Sequence, residues 1–154
     1  MDDLAVRPFE ERDRAGVVGL WERCDLVRPW NDPHRDIDRK VEHADDLLLV
    51  ATVDARVVGT VMVGYDGHRG WINYLAVDPG HQGRRLGARL MDEAERRLHT
   101  IGCAKINLQI RRTNTGVRSF YERLGYVDDD VISMGKRLTD DEPVQHQFIR
   151  DKEA

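Results

Sequence analysis

Two apolar runs joined by only a few residues place the strongest constraint on how this chain can fold. Residues 47–54 have the sequence LLLVATVD, and residues 56–66 have the sequence RVVGTVMVGYD. Both runs are rich in β-branched side chains, which favour strands. A join this short connects two strands only if they lie side by side and antiparallel. The sequence therefore predicts a β-hairpin over these residues.

The rest of the chain alternates between strand-like and helix-like patterns. Further strands are predicted at residues 4–9, 71–79, 104–111 and 131–137, and helices at residues 10–24, 36–46, 84–100 and 114–125. The order β-α-α-β-β-β-α-β-α-β predicts an α/β (α+β) fold, in which a mixed sheet has helices on its faces. We expect residues 1–154 to form a single domain, with a charged tail from residue 138 that either frays or docks.

Apolar spacing predicts which face of each helix is buried. Residues three and four apart lie on one face of a helix, so an apolar repeat at that spacing marks the core side. Gly102 is a suitable end for the third helix, because glycine adopts the left-handed conformation found after many helices. The predicted buried residues are Ile37, Val41 and Ala44 in the second helix, and Leu86, Leu90, Met91, Ala94, Leu98 and Ile101 in the third.

Composition excludes several classes of function. The 154 residues carry 24 Lys and Arg against 28 Asp and Glu, a formal net charge of −4 that predicts no nucleic-acid partner. No apolar run approaches the ~20 residues of a membrane-spanning helix, and the first residues lack the apolar segment of a secretory signal. Cys24 and Cys103 are far apart and the six histidines show no ligand spacing. We therefore expect a cytoplasmic protein without a metal site.

The turn between one strand and the following helix has the features of an anion site. Residues 78–80, DPG, end the strand, and residues 81–90 have the sequence HQGRRLGARL. The first turn of a helix presents backbone N–H groups without intrahelical partners, and these groups bind phosphates. Gly83 and Gly87 leave room for such a ligand, although a glycine turn into a surface helix has the same appearance. Neither a P-loop nor a GxGxxG fingerprint is present.

Two segments together resemble the signatures of the GNAT superfamily of N-acetyltransferases. Residues 75–91, LAVDPGHQGRRLGARLM, resemble motif A, in which Q/R-x-x-G-x-G/A follows a strand of the type L-x-V-x-P. Residues 114–126, NTGVRSFYERLGY, resemble the second signature, N-x-x-A-x-x-F-Y-E-x-x-G-F/Y. The resemblance spans residues 4–137 and extends to the small bacterial YpeA-like acetyltransferases. It implies the GNAT fold, a mixed and mostly antiparallel sheet of about six to seven strands flanked by about four helices.

The resemblance also implies an acetyl-coenzyme A site between the splayed ends of the fourth and fifth strands. In the family, the fourth strand pairs with the pantetheine arm, an amide there polarises the thioester carbonyl, and amides of the next loop hold the diphosphate. Tyr121 falls on the tyrosine that commonly protonates the departing thiolate. The implied cofactor-binding residues are Leu75, Ala76, Val77, Gln82, Gly83, Arg84, Arg85, Leu86, Gly87, Ala88 and Asn114.

Arg85 departs from the family pattern, because it stands at the first of the two glycines of motif A. A phosphate needs the backbone amide at this position, and arginine retains that amide. We expect a small steric cost if the backbone of Arg85 is helical with a negative φ. On that basis Arg85→Gly should change acetyl-CoA affinity little, whereas Gly87→Asp should cripple it.

Two of the implied roles have structural alternatives. Tyr121 follows Phe120 on a short helix and could be a core aromatic, and Asn114 could act only as a helix cap. A tyrosine with its usual pKa of ~10 is uncharged at rest and can protonate a thiolate whose conjugate pKa is ~8.5. The chemistry therefore favours a proton-donating role for Tyr121.

The general base stays open. Asn73 and Tyr74 lie on the strand where some family members have a glutamate, and neither is a good base. Asn73 is instead a candidate contact for the acceptor. The alternatives are a water relay or an exposed carboxylate, and the carboxylate candidates are Glu22, Asp25 and Asp66.

The loop between the first two helices covers the acceptor site in the family. Here this loop, residues 24–36, has the sequence CDLVRPWNDPHRD. Trp30 could form an apolar wall and Arg28 could pair with an acceptor carboxylate, whereas Asp32 and Asp36 would favour an ammonium. The alternative is that Trp30 packs against the sheet and the charges face water.

The leading hypothesis is an N-acetyltransferase that moves an acetyl group from acetyl-CoA to a primary amine by direct attack in a ternary complex. The acceptor is a small-molecule amine or a protein amine, and no metal is required. The alternative is a catalytically weak acyl-CoA-binding sensor or regulatory module. Monomer and homodimer remain equally open.

Overall fold

One mixed sheet organises residues 3–141, the part of the chain that this computed structural model describes. Its strands, in spatial order, are β1 (Leu4–Pro8), β2 (Leu48–Val53), β3 (Arg56–Tyr65), β4 (Gly70–Val77) and β5 (Ile106–Leu108). The helices are α1 (Arg14–Arg23), α2 (Pro33–His43), α3 (Leu86–Thr100) and α4 (Thr115–Arg123). This arrangement confirms the predicted fold class.

The predicted hairpin forms the middle of the sheet. β2 and β3 are antiparallel, and the turn residues Asp54 and Ala55 have φ values of 50° and 64°. Positive φ at both central residues is the geometry of a type I′ turn, whose twist matches that of the strands it joins. β1 to β4 are antiparallel neighbours, and only β4 and β5 run parallel.

Two apolar layers lie on opposite faces of the sheet. α1 and α2 cover one face with a core that includes Trp21 and Ile37, and α3 covers the other with its predicted stripe. Val41, Ala44 and Ile101, which were predicted to be buried, are instead exposed. Ile37 is the only buried residue of α2, and Ile101 follows the last turn of α3. No helix within residues 3–141 has the length and apolar character needed to cross a bilayer.

The strand predicted at residues 131–137 does not form. Its residues are in no strand, and the Met134 side chain is 91% exposed. A β pattern needs a backbone partner to become a strand, and β5 offers a paired edge of only three residues. The side-chain amide of Gln109, which follows β5, donates to the Ser133 hydroxyl, so this contact between the segment and the region of β5 is made through side chains. The described sheet therefore has five strands rather than six to seven, and the tail from residue 142 lies outside the described residues.

Candidate active site

β4 and β5 separate after a short paired stretch. They pair only from Gly70 with Ile106 to Ile72 with Leu108, so the rest of β4 is unpaired on that side. An unpaired strand edge presents N–H and C=O groups that an extended ligand can bind. The resulting gap is the centre of the candidate site.

A bulge in β4 shapes the wall of this gap. The register between β3 and β4 shifts between Thr60 and Met62, and Tyr74, opposite the shift, has a φ of 50°. The Thr60 hydroxyl donates to the carbonyl of Tyr74 at 2.8 Å and accepts the indole N–H of buried Trp21 at 2.9 Å. Bulges often re-aim strands beside active sites, and here buried hydrogen bonds fix the bulge in place.

A cleft of about 840 Å³ opens at the gap. Its walls come from β4, the end of β5, the α1–α2 loop, α2 and α4. Six of the residues predicted from the sequence line it together, namely Arg28, Trp30, Asn73, Leu75, Asn114 and Tyr121. The cleft lining does not include Ala76, Val77 or residues 82–88. The Ala76 side chain is buried on the α1 side of the sheet, which leaves its backbone as the group available to a ligand.

Tyr121 belongs both to the core and to the cleft. Its side chain is 7% exposed and lies edge-on to Tyr126, with ring centroids 5.6 Å apart. Burial raises the pKa of Tyr121 to about 12. No hydrogen bond joins its hydroxyl to another residue in the part of the chain that is described. The hydroxyl is therefore protonated at neutral pH and unengaged at the cleft wall.

Asn114 likewise belongs both to a helix cap and to the cleft wall. Its side-chain oxygen accepts from the backbone N–H of Val117 at 3.3 Å, which caps α4. It also lines the cleft beside the end of β5. The side-chain amide NH₂ group is not used by this cap, so capping and ligand contact are compatible.

The loop between β4 and α3 is held by Asp78, whose side chain accepts from the Gly80 amide at 2.8 Å and from Arg23 at 2.7 Å. Gly83 has a φ of 82°, and a Cβ atom there would meet nothing within 4 Å. α3 begins at Leu86, two residues later than predicted. Backbone amides near an open space at a helix start provide a suitable place for an anion.

The condition for a small steric cost at Arg85, a helical backbone with a negative φ, is not met. Arg85 is the N-cap of α3 with φ 58° and ψ 23°, in the left-handed region rather than the helical one. Glycine is favoured there because a Cβ atom crowds the following carbonyl. The chain thus adopts at position 85 a backbone that favours glycine while carrying an arginine.

The comparisons with known proteins agree with this geometry. A sequence profile of the acetyltransferase (GNAT) family matches residues 15–126. The chain belongs to the GNAT family. It is therefore an acetyl-CoA-dependent acetyltransferase, as the resemblance of its two motifs implied.

Solved structures share the GNAT fold at low identity. Glucosamine-6-phosphate N-acetyltransferase from Arabidopsis thaliana has a TM-score of 0.66 at 21% identity, over 88% of this chain and 99% of that chain. Ard1 from Thermoplasma volcanium has a TM-score of 0.72 at 22% identity, over 80% and 82%. An aminoglycoside N-acetyltransferase in complex with CoA has a TM-score of 0.71 at 14% identity, over 90% and 97%.

Gly87 of this GNAT protein has a packing reason for being glycine. A Cβ atom at position 87 would lie 3.2 Å from Cζ of Phe120 and 3.7 Å from Cγ2 of Val77. The start of α3, the end of β4 and α4 therefore meet at this residue. Phe120 precedes Tyr121, so close approach of α3 also sets the position of the tyrosine.

Of the residues predicted to contact the acceptor, Arg28 and Asp32 make hydrogen bonds within the protein, and Trp30 is exposed. Arg28 donates to the carbonyl of Asp25 at 2.7 Å, and Trp30 is exposed at the cleft rim. Asp32 caps α2 by accepting from the His34 amide at 2.9 Å, which gives it a structural role. These arrangements favour neither a bound carboxylate nor an ammonium.

Two of the three carboxylates considered as a base lie away from the cleft. Asp66 accepts from the amides of His68 and Arg69 in the β3–β4 turn, and Glu22 is not part of the cleft wall. Asp25 lines the cleft but its side chain is almost fully exposed. Residues 3–141 contain no group of three or more His, Cys, Asp or Glu side chains placed to hold a metal ion.

One contact between cleft residues was not predicted from the sequence. The Tyr74 hydroxyl donates to Asp36 at 2.5 Å, and both residues line the cleft. The sequence named Asp36 as a residue that would favour an ammonium, but its partner on β4 depends on the bulge.

Proposed function

We propose that this acetyltransferase transfers an acetyl group from acetyl-CoA to a primary amine by direct attack in a ternary complex. The proposal rests on one observation, the cleft between the separated ends of β4 and β5 that brings Leu75, Asn114 and Tyr121 together. A cleft bounded by an unpaired strand edge admits a thioester on one side and an amine on the other.

The residues present fit the cosubstrate. The pantetheine arm would pair with the edge of β4 at Leu75 and Val77, and Asn114 would bond it from α4. The amide of Leu75 or Ala76 would polarise the thioester carbonyl. The diphosphate would lie at the amides of residues 82–88, where Gly83 faces open space.

Direct attack needs no enzyme nucleophile, and the cleft cysteine is poorly suited to be one. Burial raises the pKa of the Cys24 thiol, which also donates to the carbonyl of Val77 at 3.3 Å. A thiol held protonated is a weak nucleophile. The amine nitrogen instead forms a C–N bond with the acetyl carbonyl carbon while the C–S bond breaks and the electron pair leaves on sulfur.

Tyr121 would protonate that sulfur. A tyrosine with a pKa of about 12 is a weaker acid than a thiol of ~8.5, so donation alone is uphill. The new C–N bond makes the nitrogen an acidic ammonium, which must lose a proton in the same step. Tyr121 therefore passes a proton to sulfur and regains one that originates from nitrogen, through water or directly, and is uncharged again at the end.

The test is Tyr121→Phe, which removes the hydroxyl and retains the ring. We expect kcat to fall by about two orders of magnitude, in the range of lost general acid catalysis, with acetyl-CoA affinity by calorimetry unchanged within about twofold. Tyr126→Phe is the matched control, because the Tyr126 hydroxyl bonds Glu95 at 3.0 Å rather than facing the cleft. Equal turnover in Tyr121→Phe and the wild type would remove Tyr121 from the mechanism, and no binding of acetyl-CoA to the wild type would overturn the proposal.

The absence of a carboxylate on the unpaired part of β4 favours the alternative of an acyl-CoA-binding sensor. Residues 73–77 have the sequence NYLAV, with no glutamate or aspartate. A sensor would bind acetyl-CoA as tightly as an enzyme. Thiol release measured over a panel of primary amines separates the two, since a sensor releases none above the hydrolysis background.

A further inference from the structure

Asp36 lies on the acceptor side of the cleft in a rigid setting. Its carboxylate is 21% exposed and accepts from the Tyr74 hydroxyl at 2.5 Å. The Tyr74 ring is stacked on buried Trp21, with centroids 3.8 Å apart and planes 12° apart. Tyr74 is thereby fixed at its ring and at its carbonyl, so the position of its hydroxyl is fixed as well. A carboxylate held in this way is preorganised for a ligand.

Arg39 is the cation nearest to Asp36 on the same helix, but another carboxylate engages it. Asp141, whose side chain is 1% exposed, accepts from both guanidinium ends of Arg39 at 2.7 and 2.6 Å. The contact from Arg39 to Asp36 is longer, at 3.4 Å. Because a bidentate pair is the stronger one, Asp141 holds the Arg39 guanidinium, and Asp36 receives only the longer contact.

Two further cations at the cleft, Lys40 and Arg28, are also committed to protein acceptors. Lys40 is within 2.6 Å of Asp45 and donates to the Val63 carbonyl, and Arg28 donates to the Asp25 carbonyl. Arg111 lies on the opposite wall, and within residues 3–141 only its backbone carbonyl, which accepts from the Asn114 amide, has a hydrogen-bond partner. The α2 wall of the cleft therefore presents a carboxylate, Asp36, to a ligand, while its cations Arg39 and Lys40 are paired with other carboxylates of the protein.

We propose that Asp36 binds the ammonium of the acceptor, and that Tyr74 and Asp141 are positioning residues that keep Asp36 available. The inference rests on the proposed acetyl transfer and names its acceptor class, cationic primary amines that lack a carboxylate near the amine. An acceptor carboxylate at this wall would meet Asp36 and is disfavoured. The nitrogen loses a proton to solvent before attack, and Asp36 orients it.

The experiment measures binding and turnover separately. Calorimetry with CoA present uses linear diamines of two to eight carbons and the matching amino acids in which one amine is replaced by a carboxylate. We expect the wild type to bind at least one diamine at least tenfold more tightly than its amino-acid counterpart. Asp36→Asn should lower the affinity for that diamine 10- to 100-fold, which is the effect of losing a charge-assisted hydrogen bond. The affinity for CoA should be unchanged. Asp38→Asn is the control on the same helix, since Asp38 is exposed and pairs with Arg14.

A second pair of variants tests the positioning role. Asp141→Asn should release Arg39 to pair with Asp36 and so weaken diamine binding about tenfold. The double variant Asp141→Asn with Arg39→Gln should restore it, which a merely structural role of Asp141 would not do. If Asp36→Asn fails to fold, judged by circular dichroism, this pair decides the question.

The outcomes separate this inference from the proposed function. Equal diamine affinity in the wild type and Asp36→Asn, or tighter binding of the amino acids, would overturn the role of Asp36. Diamine binding that depends on Asp36 without any thiol release from acetyl-CoA would support the ammonium site and overturn acetyl transfer to these amines.

Discussion

Arg85 holds a left-handed backbone at the start of α3, with a φ of 58°. A non-glycine residue in this region costs roughly 1 kcal/mol, because its Cβ atom crowds the next carbonyl. The neighbouring Arg84 is not among the residues with positive φ. The two adjacent arginines therefore have the same type of side chain but differ in backbone strain. This makes them a matched pair for experiment.

Arg85→Gly is expected to raise the free energy of unfolding by about 0.5 kcal/mol, since relief of strain outweighs the entropy that glycine adds to the unfolded chain. Arg84→Gly should lower it by a similar amount, because no strain is relieved there. Urea denaturation measures both. Acetyl-CoA affinity should change little in Arg85→Gly, and equal destabilisation by the two variants would show that the left-handed backbone carries no cost.

At the scale of elements, α3 and α4 approach each other at Gly87 and Phe120. The 3.2 Å that would separate a Cβ atom at position 87 from the Phe120 ring is shorter than ordinary contact. Gly87 thus allows the two helices to pack, and α4 carries Tyr121 and Asn114 to the cleft. The glycine of motif A has a role in helix packing beside its proposed role at the diphosphate.

Gly87→Ala is expected to lower the free energy of unfolding by about 1 to 2 kcal/mol, the cost of overpacking. Phe120→Leu in the same chain should reduce that loss, so that the double-mutant cycle shows a coupling above about 0.5 kcal/mol. The coupling is read from urea denaturation of the four proteins. Lower acetyl-CoA affinity in Gly87→Ala with additive stabilities would instead assign the glycine to the cofactor alone.

At the scale of the whole molecule, tyrosines in and around the core make folding sensitive to high pH. Burial raises the pKa of Tyr121 to about 12, and the pKa values of Tyr74 and Tyr126 are also raised, first by burial and then by Asp36 and Glu95. An unfolded tyrosine has a pKa of ~10. The stability that depends on a neutral tyrosine is therefore complete below pH ~10 and is lost as pH rises toward 12.

Tyr121 alone should account for on the order of 2 kcal/mol of lost stability between pH ~10 and ~12. Urea denaturation of the wild type and Tyr121→Phe at pH 8 and at pH 11.5 measures the difference. The free energies of unfolding of the two proteins should differ little at pH 8. Between pH 8 and pH 11.5 the wild type should lose more of its free energy of unfolding than Tyr121→Phe. Parallel losses in both proteins would show that Tyr121 does not link folding to pH.

The sequence by itself determined the hairpin, the buried stripe of α3, the glycine stop at Gly102 and the family, because these follow from local periodicity, turn chemistry and short motifs. It also placed Tyr121, Asn114 and Leu75 in one site through the resemblance of those motifs. Tertiary structure alone decided the backbone of Arg85, the absence of a strand at residues 131–137 and the pairing of Tyr74 with Asp36. The last two depend on partners distant in sequence, and a β pattern or a single carboxylate does not name its partner.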